Sequence, residues 1–93
     1  MTAVLARGFV VAGQVQGVGF RWWARREAER LGLGGAIWNR EDGAVEVHVV
    51  GPARGVDAFR AALDRGPPAA RVERVEDTPW REDLATSQFR IVR

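Results

Sequence analysis

Ninety-three residues, 46 % hydrophobic and 28 % charged, suffice for one folded domain with a modest core and are too apolar for a disordered chain. There is no cysteine, which excludes disulfides, thiolate zinc sites and thiol catalysis, and the lone histidine, His48, argues against a histidine-cluster metal centre. The isoelectric point of 10.9 overstates the basicity: net charge is only +2, and all fourteen basic residues are arginines scattered among acids.

Residues 4–12 read as a strand. Both alternating sets contain apolar residues, so pattern alone does not choose the inward face. Gly8 inside the run marks either a close backbone approach or a local weakness. A glycine-rich turn over 13–20 follows, and 21–33 read as a helix. Phe20, Ala24, Ala28 and Leu31 recur on one stripe, while the Arg25/Glu29 and Glu27/Arg30 spacings place charge pairs on the outer surface. Gly32, Gly34 and Gly35 end the helix. Trp22 and Trp23 cannot both face the core, and one is expected at the mouth of the turn, either as a substrate wall or, the favoured reading, as a half-buried anchor.

Residues 35–39 and 43–50 read as two strands joined through Asp42-Gly43, a strong hairpin signal. Val45, Val47 and Val49 alternate with Glu46 and His48, giving a buried valine face and a wet face. On that pattern His48 faces solvent or the open side of the sheet. Gly51-Pro52 breaks the strand. Residues 55–65 form a second helix with Val56, Phe59, Ala62 and Leu63 inward, stopped by Gly66-Pro67-Pro68. Residues 70–77 form a strand in which Val72 and Val75, three apart, call for a bulge. A loop over 78–86 carries Trp80, and Phe89 and Ile91 alternate in a short last strand.

Two helices can bury their stripes together only on one face of a sheet. The order of elements therefore predicts an α+β, ferredoxin-like sandwich (βαββαβ) with an antiparallel sheet, as a single domain over 1–93.

The chemistry concentrates in Gly13-Gln14-Val15-Gln16-Gly17-Val18-Gly19-Phe20-Arg21. A strand that turns sharply through glycines into a helix exposes backbone N–H groups that the helix cannot pair, at its partly positive end. Such a turn binds anions, phosphate above all. Arg21 adds a full charge and a planar fork of donors. No Gly-Lys-Ser/Thr follows, so this is not a Walker loop, and Trp22 stands where a dinucleotide fingerprint needs glycine or alanine.

This stretch resembles the signature of the acylphosphatase family, close to Gly-x-Val-Gln-Gly-Val-Gly-Phe-Arg. A second family signature is matched by Gly35-Ala36-Ile37-Trp38-Asn39 followed by Asp42-Gly43-Ala44-Val45. The resemblance covers nearly the whole chain. It implies hydrolysis of acyl phosphates to a carboxylate and inorganic phosphate, the latter both product and inhibitor. It implies that Arg21 holds the phosphate with the loop Val15, Gln16, Gly17, Val18, Gly19 and Phe20, and that Asn39 orients the attacking water. No metal and no cofactor are called for. Gln14, Ala36 and Trp38 depart from the family pattern, where basic, aromatic and basic or polar residues are frequent.

The alternative reading is a noncatalytic phosphate-binding module of the same fold, which an activity assay would separate. A nucleic-acid partner is not expected, because Glu46 and His48 on the third strand's open face suit RNA poorly. No apolar run approaches the ~20 residues of a membrane helix. Met1 to Arg7 is charged too early for a secretory signal, so a cytoplasmic protein with no membrane partner is expected, most simply a monomer.

Overall fold

The computed structural model describes residues 3–84 and 86–92. In chain order it has β1 (Val4–Gln14), α1 (Phe20–Arg30), β2 (Gly34–Asn39), β3 (Val45–Pro52), α2 (Ala53–Leu63), β4 (Arg71–Thr78), a short 3-10 turn (Glu82–Leu84) and β5 (Phe89–Ile91). The strands form one sheet in the order β4-β1-β3-β2-β5. The first four strands pair antiparallel, as the ferredoxin-like reading requires. β5 departs from the expected all-antiparallel sheet: it runs parallel to β2, with Gly35 opposite Phe89 and Ile37 opposite Ile91. The sheet is therefore mixed.

The core lies between the sheet and both helices. Phe9 and Val11 of β1, Ile37 of β2 and Val45, Val47 and Val49 of β3 point inward. They meet Phe20, Ala24 and Ala28 of α1 and Val56, Phe59 and Leu63 of α2. Each large side chain buried this way contributes about 1.5–3 kcal/mol. The period of 2 in β3 and the period near 3.6 in both helices thus converge on one apolar layer.

α1 stops at Arg30, short of the expected residue 33. Gly32 takes φ 74°, the Leu33 N–H reaches back to the Ala28 carbonyl at 2.9 Å, and the Gly32 N–H donates to Glu29 at 3.1 Å. This paired closure satisfies the last carbonyls and ends the helix. The bulge in β4 is present. Ala12 faces Arg74 but Gly13 faces Val72, so one extra residue lets Val72 and Val75 both pack on the core.

The outer face of β3 corrects the expectation of a wet surface. His48 lies on the face away from the helices, as alternation demands, yet it is fully buried. Trp38 stacks on its ring at 5.4 Å between centroids, and Trp80, from the segment after β4, covers it at 5.8 Å. Its Nε2 meets Glu46 Oε2 at 2.7 Å. Gly8 leaves the room: a Cβ there would lie 2.6 Å from the imidazole Cε1. Alternation specifies a face but not what folds over it. No helix among the described residues is long and apolar enough to cross a membrane.

Candidate active site

The glycine-rich segment connects the end of β1 to the start of α1. Val15 and Phe20 anchor it at either end with side chains sunk in the core, so only their backbones are available to a ligand. Val18 is half-buried against the same core. Gly17 and Gly19 adopt φ 74° and 78°, a region that costs a side-chain-bearing residue roughly 1–2 kcal/mol. Open space lies where their Cβ atoms would project. The first helical bond of α1 is from the Trp23 N–H to the Gly19 carbonyl, 3.0 Å. Among the described residues, no backbone N–H from Gln16 to Trp22 donates to a backbone carbonyl. A row of main-chain donors is therefore left open at the positive end of the helix.

Arg21 follows in the first turn of α1 and is half-buried. No carboxylate among the described residues forms an ion pair with it, whereas Arg25, Arg30, Arg40, Arg60, Arg74 and Arg81 are each paired. Its charge is uncompensated beside open backbone donors, an arrangement suited to an anion. Trp23 is the half-buried anchor, edge-on to Phe20 at 5.3 Å, while Trp22 is 59 % exposed with Arg25 over its ring.

Asn39 is the last residue of β2, opposite Val45, and is exposed. It shares the helix-side face with Ile37, the side on which α1 lies. The hairpin beyond it is tightly closed. The Arg40 N–H donates to Ala44 at 2.8 Å, and Asp42 Oδ1 accepts the Ala44 N–H at 3.0 Å. That backbone donor first, and the Arg40 guanidinium second, hold the Asp42 carboxyl below its ordinary range. Arg40 is raised in turn, chiefly by its hydrogen bond to Asp42, and also pairs with Glu46 at 3.0 Å.

The loop and the hairpin are joined by a contact that sequence reasoning missed. Gln16 Nε2 donates to the Arg40 carbonyl at 2.8 Å and to the Ala44 carbonyl at 2.9 Å. The resemblance implies Gln16 only as a substrate-binding residue of the loop. Its side chain instead reaches across to the residues that flank the turn after Asn39. The signal was not in local sequence, because the partners lie far along the chain and come within reach only through the β1–β3 register. Among the described residues no cluster of acidic or histidine side chains is arranged to hold a metal.

The model of the acylphosphatase family matches residues 7–91. An acylphosphatase of Nitrobacter hamburgensis is 52 % identical over 75 residues, covering 81 % of this chain and 76 % of that protein. The structure of an acylphosphatase from Coxiella burnetii superposes with a TM-score of 0.84 at 33 % identity, covering 96 % of this chain and 93 % of its own. That of an acylphosphatase from Bacillus subtilis gives 0.82 at 33 % identity, covering 98 % and 100 %. With a matching family model over nearly its whole length and the same fold in proteins of that name, this chain belongs to the acylphosphatase family.

Proposed function

We propose that the protein hydrolyses the carboxyl–phosphate bond of small acyl phosphates, with the phosphate held by Arg21 and the backbone donors of residues 15–20 and the attacking water oriented by Asn39. The observation that carries this reading is the row of unpartnered N–H groups beside an arginine that no described carboxylate neutralises. Donors fixed before the substrate arrives stabilise charge on the phosphoryl oxygens without reorganising. Asn39 can accept one hydrogen bond from water and donate another, which fixes both its position and its orientation.

The water oxygen attacks phosphorus, the bond from phosphorus to the acyl oxygen breaks, and its electron pair leaves on the carboxylate. The water's proton passes to a phosphate oxygen. The departing carboxylate is a weak base, so no general acid is required, and positioning with charge stabilisation carries the reaction.

Two features count against a nucleic-acid role. The aromatics of the outer sheet face pack on His48, and Arg40, Arg74 and Arg81 are paired with acids. The same reading takes residues 1–93 as a single domain, acting as a cytoplasmic monomer.

The test is hydrolysis of benzoyl phosphate with chelator present. Wild type should turn over undiminished by metal removal. Arg21→Ala should lose turnover and weaken inhibition by inorganic phosphate. Asn39→Ala should lose turnover while phosphate still inhibits or binds. A folded wild type that binds phosphate without turnover would make the protein a binding module. Wild-type rates in both variants would discard the residue assignments.

A further inference from the structure

We propose that the side chain of Gln16 is a positioning residue: it sets the separation between the phosphate cradle and Asn39 by pinning the β2–β3 hairpin, and does not itself touch the substrate. The inference rests on the assignment of the water-orienting role to Asn39.

A carboxamide has two N–H donors, and both are committed here, to Arg40 O at 2.8 Å and Ala44 O at 2.9 Å. Both partners are carbonyl oxygens, so the amide nitrogen must face them and the orientation of the group is fixed by chemistry. What remains is Oε1, an acceptor, which repels the oxygens of a phosphate. The side chain is therefore spent on the protein.

The two carbonyls it holds are the ones that frame the turn. Ala44 O also receives the Arg40 N–H, and Arg40 O also receives the Gly43 N–H at 3.3 Å. Asn39 immediately precedes this knot. Apart from packing in the shared core, the cradle and the hairpin are related through the hydrogen bonding of β1 to β3, whose last paired residues are Val11 and Val45. Beyond that pair β1 runs on to Gln14 while β3 has given way to the turn, and Gln16 is the brace between them. Hydrolysis by positioning is sensitive to such a brace, since a misplacement of ~1 Å can cost ~10²-fold in rate.

The proposal separates two roles that kinetics can distinguish. Gln16→Met keeps the length and removes both donors. Gln16→Glu keeps the shape and aims an ionised acceptor at two carbonyls. Both should lower kcat for benzoyl phosphate by roughly 10²-fold, while in the uncharged variant Gln16→Met inhibition by inorganic phosphate stays as in wild type, because the backbone donors and Arg21 remain. Circular dichroism and thermal unfolding establish that each variant is fully folded at the assay temperature.

A second readout is the pH profile. Protonation of the carboxylate introduced by Gln16→Glu restores one donor to the brace. The kcat of Gln16→Glu relative to that of Gln16→Met should therefore rise as pH falls toward the carboxyl's ordinary value of ~4.3. A packing role would leave that ratio flat. Wild-type kcat in either folded variant, a flat ratio, or phosphate inhibition lost in step with kcat in Gln16→Met each overturns the proposal. Asn39→Ala run in parallel keeps the underlying reading separate. If it retains turnover, the water-orienting assignment fails; if it is inactive while both Gln16 variants are wild-type, only the brace fails.

Discussion

Arg21 and Asn39 lie in one short sequence motif each, and their places in the fold, after a glycine turn and at a strand end, were legible locally, whereas pairing them in one site comes only from the family resemblance. Gln16 was legible only in part. Its place in the loop could be read, but its partners at positions 40 and 44 depend on a sheet register that no local pattern encodes. The burial of His48 escaped for a similar reason, since the rings that bury it come from Trp38 and from Trp80, beyond β4. Truncating it would open a cavity between two indoles and strand Glu46 Oε2 without its partner. His48→Ala should therefore cost about 3 kcal/mol of stability, measured by urea denaturation. Phosphate inhibition should be unchanged, because the side chain lies on the opposite face of the sheet from the helices.

At the scale of elements, the two helices, the hairpin and the β4 bulge followed from spacing and turn residues, while the direction of β5 did not. Three residues carry too little pattern to reveal which edge they join, and Phe89 and Ile91 alternate equally well parallel or antiparallel. The cradle is an element in its own right, with its shape resting on two positive φ angles. Gly19→Ala should cost roughly 1–2 kcal/mol through the backbone alone, since nothing obstructs the new methyl. It should also weaken phosphate inhibition by tilting the loop's donors, which a titration with inorganic phosphate would register. The hairpin has its own pH response. Asp42 is held below its ordinary value of 3.8 by the Ala44 N–H and by Arg40, so its contribution is complete above that value and is lost as pH falls through the lower folded value. Arg40 is raised from an already high value and stays charged throughout this range. Asp42→Asn should accordingly flatten the loss of stability as pH falls below the ordinary carboxyl value of 3.8, as followed by thermal unfolding at descending pH.

For the molecule as a whole, composition decided the class and the order of elements decided the architecture. What sequence could not supply was the covering of the outer sheet face. The expected open surface is closed over β3 by the segment after β4, where Trp80 packs on His48 and Arg81 sits 5.4 Å over the ring of Trp38. Paired charges then line the remaining outer groove between the hairpin and β4, with Arg40 on Asp42 and Glu46 and Arg74 on Glu76. The cradle, by contrast, combines an arginine that no described carboxylate pairs with open main-chain donors on the helix side of the sheet.

The place of β1 in the sheet bears on how that cradle comes into being. β1 is the first strand in sequence, yet it lies between β3 and β4, both made later. Its hydrogen bonds can be completed only after long stretches of chain have closed, and such nonlocal pairing slows folding. The glycine-rich loop hangs directly from the end of β1 and is bonded through Gln16 to the β2–β3 hairpin. Its geometry accordingly depends on pairing between distant parts of the chain. The proposed affinity for phosphate would then stabilise the finished molecule.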